Sequence, residues 1–211
     1  MALHLHLRDL SVALVTAWRA AFEGVPDIEI THGDIFSSRR GVVRPEDGID
    51  VRADAVISPA NSFGFMDGGI DAVFTHQLGP QVQRNLQTRL RAEWGGELPV
   101  GQAVIVVTGR SEIPFCVSAP TMRLPCDVSG TVHAYLAFRA ALRAVLDHNR
   151  DVAAPIQSLL CPGLGTAIGR MPPQRCARQM RAAWDRVVSG PDFLPSSLTE
   201  ADRDAAWLLG P

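Results

Sequence analysis

Apolar and polar positions along the chain switch between two periods. Residues 3–7, LHLHL, alternate and predict a short first strand. Over 9–23 the apolar positions Leu10, Leu14, Trp18, Ala21 and Phe22 recur at helical spacing, and Gly24 closes that helix. A second strand is predicted over 27–31, leading into Gly33-Asp34-Ile35. Residues 37–52, SSRRGVVRPEDGIDVR, are polar and rich in turn formers and predict a surface excursion. A short apolar run over 53–58, stopped by Pro59, has the look of a buried strand. A glycine-rich loop follows, and then one long helix is predicted over 69–93.

The second half repeats the alternation. Strands are predicted over 103–107 and 115–119, and a long amphipathic helix over 132–148, paced by Leu136, Ala140, Arg143 and Asp147. The last strand falls at 156–161, a glycine- and proline-rich loop at 162–171, and a helix at 172–188. The pattern reads as one domain over 1–189 and a tail over 190–211 that carries one short helix at 198–208. Strands alternating with helices imply an α/β fold around a largely parallel sheet.

Composition narrows the class. The chain has 211 residues, 46% hydrophobic and 20% charged, as expected of a globular domain. A net charge of −2 argues against a general electrostatic grip on nucleic acid. There is no apolar run of membrane-spanning length and no signal-peptide pattern at the N-terminus. All 20 basic residues are arginine, which excludes a P-loop lysine, a Schiff base and any lysine nucleophile. Cysteines stand at 116, 126, 161 and 176 with no C-x-x-C pair. Free, mostly buried thiols in a reducing cytoplasm are therefore expected. His4 and His6 share a strand face without a ligand cluster in the sequence, so neither a metal nor a cofactor is expected.

In parallel sheets, ligands sit beyond the carboxyl ends of the strands, and three post-strand loops stand out. In the first, Asp34 could accept a hydrogen bond from an amino group such as that of adenine, or serve as a turn residue. The second runs from Ser58 through Asn61 and Ser62 to Gly68, Gly69, Ile70 and Asp71. It delivers paired glycines to a helix N-terminus, where free N–H groups and a partial positive charge suit a phosphate. Asp71 there either does chemistry or simply complements the helix dipole. The third, Pro162-Gly163-Leu164-Gly165-Thr166-Ala167-Ile168-Gly169, reads as a second phosphate-cradling loop. Its G-x-G-x-x-x-G spacing is not the dinucleotide fingerprint, and no Rossmann half follows it. Two such loops after two buried strands suggest a diphosphate held from both sides.

Over about residues 28–188 the chain resembles the macrodomains, modules that bind ADP-ribose. The resemblance rests on GDI at 33–35, DAVISPANS at 54–62 with GGID at 68–71, Gly101-Gln102-Ala103 before a strand, and PGLGT at 162–166. Asn61 and Asp71 are ten positions apart, as in macrodomains that hydrolyse ADP-ribose from proteins. The resemblance implies a three-layer α/β/α sandwich around a mixed, mostly parallel sheet. It implies that Asp34, with Ile35, meets adenine, that Asn61, with Ser62, holds the distal ribose, and that Gly68, Gly69, Ile70 and Asp71 line the diphosphate and distal ribose. Gly163, Leu164, Gly165, Thr166, Ala167, Ile168 and Gly169 would cover the phosphates. Phe63 or Phe65 could pack on a ribose or base.

The chain departs from the family at several points. Asp67 stands where a glycine triplet usually begins, and Ala167 where a glycine is common. The 37–52 excursion is long, and no aromatic residue directly follows the third loop to stack on adenine. The absence of lysine excludes the branch that works through a lysine–ribose adduct.

The expected activity is hydrolysis of ADP-ribosyl esters on acidic side chains, of O-acetyl-ADP-ribose or of ADP-ribose 1″-phosphate, with Asp71 and Asn61 as the catalytic pair and ADP-ribose or an ADP-ribosylated protein as partner. The alternative is a non-catalytic ADP-ribose or nucleotide reader that contacts a protein through the excursion or the tail. Single-stranded RNA binding lacks a basic–aromatic surface.

Overall fold

A computed structural model describes residues 3–37, 48–150, 153–190 and 193–210. Residues 38–47, most of the 37–52 excursion, lie outside the described residues. Six strands form one sheet: β1 (His4–Asp9), β2 (Ile28–His32), β3 (Ala55–Ser58), β4 (Val104–Val107), β5 (Phe115–Ser118) and β6 (Ser158–Cys161). Their spatial order is β2-β1-β6-β3-β5-β4. Every neighbouring pair is parallel except β4–β5 at one edge, so the sheet is mixed and mostly parallel.

Among the described residues five α-helices flank the sheet, α1 (Val12–Ala21), α2 (Ile70–Leu78), α3 (Gln81–Trp94), α4 (His133–His148) and α5 (Pro173–Trp184), and a sixth, α6 (Leu198–Leu209), packs on α5. Two apolar cores lie on the two faces. Leu5, Leu7, Ala55 and Ile57 pack with α1, α4 and α5, where Trp18, Phe138 and Met180 are buried. Val56, Cys116 and Leu160 pack with α2 and α3 against Phe36, Phe74 and Leu86. Successive β3 residues thus feed opposite cores, which is why Ala55, Val56 and Ile57 are all apolar rather than alternating. None of the described helices is long and apolar enough to cross a membrane.

Two boundaries differ from the sequence reading. The first strand runs on through Asp9, because the parallel ladder to β2 continues to the Asp9–His32 pair. The first helix therefore starts at Val12, with Ser11 Oγ accepting from Leu14 N at 3.3 Å as its N-cap. The single helix expected over 69–93 is two helices. Pro80 lacks the N–H for helix continuation and disfavours helical geometry at Gly79, so the chain breaks there. Gln81 Nε2 bridges the break, donating to Leu78 O at 2.6 Å and to Thr108 O at 2.8 Å.

Helix α5 ends in a π-helical turn over Asp185–Ser189. Helix α6 docks against α5: Gln179 Nε2 donates to Leu208 O at 3.2 Å, and a half-buried ion pair joins Arg186 to Asp204.

Candidate functional site

Strands β1, β2, β3, β5 and β6 run in one direction, so the loops leaving them gather along one edge of the sheet. Two adjoining hollows form a cleft there. They share Gly69, Ile70, Gly163, Thr166 and Ala167, the facing segments of the two glycine-rich loops. One hollow reaches Asp34 and Ile35; the other reaches Asn61, Asp67 and Asp71. A Cβ at Gly69 would lie 3.6 Å from Ile168 Cδ1, so the loops nearly touch across the middle.

Strand ends set these loops. Asp9, the last residue of β1, accepts from Ser11 N at 2.8 Å and from Gly163 N at 3.0 Å, tying the start of the third loop to the start of α1. Gly163 is packed so closely that a Cβ would sit 2.6 Å from Leu14 Cδ2 and 2.9 Å from Asp9 Oδ2. Any larger residue there forces those side chains to move. Farther along, Gly169 O accepts from Val128 N at 2.9 Å and Gly165 O from Met171 N at 2.9 Å, closing the loop into a compact turn.

At the first end of the cleft, Asp34 Oδ1 accepts from Phe36 N at 2.9 Å. Buried Arg8 holds the same turn, donating from Nε to Asp34 O at 2.6 Å and from Nη1 to Thr31 Oγ1 at 2.6 Å. Ile35 lines the hollow and roots in the second core.

At the other end, Asp71 stands in the first turn of α2. Ser58 Oγ, at the end of β3, donates to its Oδ1 at 3.0 Å. Burial raises the Asp71 pKa from 3.8 to about 6, with the Asp67 charge adding to the rise and the Ser58 bond opposing it. Asn61 lines the same hollow, but its amide shapes its own loop. Oδ1 accepts from Phe63 N at 3.1 Å and Phe65 N at 3.3 Å, and Nδ2 donates to Phe65 O at 2.8 Å. The second Nδ2 hydrogen is not used by these loop bonds.

The cleft brings together Asp34, Ile35, Asn61, Gly68, Gly69, Ile70, Asp71, Gly163, Gly165, Thr166, Ala167, Ile168 and Gly169. Ser62 and Leu164 fall outside its lining. Ser62 is buried, its N–H directed to the carbonyls of Met122 and Arg123. The Leu164 side chain is fully buried in the first core. Phe65 lines the cleft and is half exposed, whereas Phe63 lies under the Arg123 guanidinium at 4.9 Å.

Sequence reasoning missed two wall segments. Thr121, Met122 and Pro125 follow β5, and Met122 bridges to Asn61. That loop carries no glycine motif, so only the rule about strand ends could have flagged it. Arg8, Asp9, Leu10 and Ser11 end or follow β1, and the helical spacing over 9–23 hides the last three of them.

The family model for the Macro domain matches residues 57–180, more than half of the chain. The chain belongs to the macrodomain family. This macrodomain is 31% identical over 131 residues to an uncharacterised protein of Aquifex aeolicus, covering 62% of this chain and 72% of that one. It is 30% identical over 145 residues to an uncharacterised protein of Aeropyrum pernix, covering 65% and 70%. Among solved structures, the macrodomain of Mycobacterium tuberculosis DarG superposes with a TM-score of 0.54 at 19% identity, over 70% of this chain and 92% of that chain. The Oceanobacillus iheyensis macrodomain with ADP superposes with a TM-score of 0.55 at 18% identity, over 66% and 72%. These structures share the three-layer fold of this macrodomain.

Proposed function

We propose that the cleft binds ADP-ribose and that the protein hydrolyses ADP-ribosyl esters at the distal ribose, on acidic side chains of a modified protein or on O-acetyl-ADP-ribose. The observation that carries this reading is the continuous cleft between two glycine-rich loops, with an acceptor at Asp34 at one end and the buried carboxylate of Asp71 at the other. Adenine would meet Asp34, and the diphosphate would lie along the backbone N–H groups of 68–70 and 164–169. The Oceanobacillus iheyensis structures include variants with an asparagine and an aspartate, ten positions apart, each replaced by alanine. Asn61 and Asp71 have the same separation.

In the reaction, the bond from C1″ to the acyl oxygen breaks as a water oxygen bonds to C1″. Positive charge builds on the ribose ring, and Asp71 stabilises it. Asp71 Oδ2 takes the water's proton while Ser58 holds Oδ1. The acyl oxygen leaves with the bonding electrons as a carboxylate and Asp71 releases the proton to solvent, so the products are ADP-ribose, the carboxylate and a proton. Asn61 orients the ribose, which contributes alignment rather than proton transfer.

The second reading is a non-catalytic ADP-ribose reader. It is favoured by the engagement of the Asn61 amide with its own loop at three backbone groups. The deciding experiment is calorimetric titration with ADP-ribose, with AMP and NAD as controls, followed by turnover of an ADP-ribosylated glutamate substrate. The hydrolase reading expects selective ADP-ribose binding and turnover that is lost in Asp71→Ala. Binding without turnover supports the reader, and no binding refutes both.

A further inference from the structure

We infer that the distal end of the cleft selects by charge, admitting an uncharged acyl group at C1″ and rejecting a phosphate there, with Asp67 as the residue that sets this selectivity. The inference rests on the ADP-ribose reading above, which places C1″ beside Asp71.

The charge layout of the cleft carries the argument. Asp67 lines the same hollow as Asp71 and is exposed, and among the described residues it makes no hydrogen bond or ion pair. The two carboxylates flank one space, and the described lining of that hollow contains no arginine or histidine. The arginines next in sequence to the lining, Arg123 and Arg170, have carboxylate partners of their own. Arg123 holds Glu97 with two bonds, at 2.6 and 3.0 Å, and Arg170 pairs with Asp127 at 3.9 Å. The chain has no lysine to supply a cation instead.

The middle of the cleft differs. There the glycine-rich backbone offers N–H groups to a diphosphate, with α2 adding the positive end of its dipole. An anion is thus accommodated in the middle, while at the end, among the described residues of the lining, it meets two negative groups and no counter-charge. A doubly charged phosphate on C1″ is repelled by both carboxylates. An acetyl or glutamyl ester carries no charge at the atoms next to C1″ and avoids that repulsion. Of the substrates open to this fold, the structure favours acyl esters over ADP-ribose 1″-phosphate.

The test is calorimetric. Dissociation constants for ADP-ribose and ADP-ribose 1″-phosphate are measured on the full chain, on Asp67→Asn and on Asp67→Glu, at low and at high salt. The unaltered protein is expected to bind the 1″-phosphate about tenfold more weakly than ADP-ribose, the scale of like charges a few ångströms apart in a partly solvated cleft. Asp67→Asn should cut that ratio several-fold, Asp67→Glu should keep it, and high salt should compress it in the unaltered protein. The inference is overturned if both ligands bind equally well. It is also overturned if the ratio is the same in Asp67→Asn, which would make the rejection steric. Failure of ADP-ribose itself to bind would refute the reading of the cleft and this inference with it.

Discussion

Asp71→Asn should make the protein more stable and less active, and the gain should depend on pH. The Asp71 carboxyl titrates near 3.8 when unfolded and at about 6 in the fold, chiefly because burial disfavours its charged form. At about 1.4 kcal/mol per pH unit, keeping Asp71 ionised near neutrality costs the fold about 3 kcal/mol. Asparagine removes that cost and still accepts from Ser58 Oγ, but its two N–H hydrogens need partners, which returns about 1 kcal/mol or more. A net gain of about 1–2 kcal/mol is expected, or a Tm higher by about 3–6 °C for a chain of this size.

The folded state binds the Asp71 proton more tightly than the unfolded chain. The stability that protonated Asp71 gives is therefore fully present below about pH 4 and lost as pH rises through 6. The advantage of the asparagine variant is then complete above pH 6 and fades as pH falls toward 4. Urea unfolding of both proteins across this range checks the curve. A destabilised variant, or a difference that does not change with pH, would refute the assignment of a buried, strained carboxylate at this position. Under the hydrolase reading, turnover in the unaltered protein falls as pH drops below about 6, and the variant has little activity at any pH.

Other consequences follow from the same geometry. Gly163→Ala drives a Cβ against Leu14 and Asp9; it should cost about 1–3 kcal/mol by urea denaturation and weaken ADP-ribose binding at least several-fold. Arg8→Met removes the guanidinium bonds to Asp34 O and to Thr31 Oγ1; calorimetry should show ADP-ribose affinity lowered about five- to tenfold, with a stability loss of about 1–3 kcal/mol. Arg186→Ala strands Asp204 at a half-buried contact; hydrogen exchange should then rise first in α6, and unaltered protection there would refute the docking role. Cys116, Cys161 and Cys176 are buried with raised thiol pKa values, while Cys126 is exposed. A thiol reagent should therefore modify one cysteine rapidly in the native protein and all four after denaturation.

Much of this could be read along the chain because local rules and tertiary structure agree. The apolar run before Pro59 is a buried strand because both faces of β3 are covered. The stretch over 132–148 is helical as its spacing predicts, but the buried stripe of α4 runs through Ala137, Phe138, Ala141 and Val145 rather than through Leu136, Arg143 and Asp147. The loops at 58–71 and 162–169 were legible through their glycines, since close backbone packing leaves a compositional mark. The break at Gly79-Pro80 was equally visible as letters, yet the apolar periodicity on either side masked it. The loop after β5 left no such mark. Thr121 and Met122 reach the cleft only because β5 lies beside β3 in the sheet.

The order of elements, the absence of lysine chemistry, and the pairing of two glycine loops with Asn61 and Asp71 were properties of the sequence by itself. They depend on residue type and on spacing along the chain. The tertiary structure decided three further matters: the rise of the Asp71 pKa to about 6, the use of the Asn61 amide as a loop brace, and the placing of Asp67 beside Asp71 with no cation among the described lining residues. A pKa depends on solvent and charge within a few ångströms, and those neighbours are set by which strands lie side by side, an arrangement that sequence spacing does not encode.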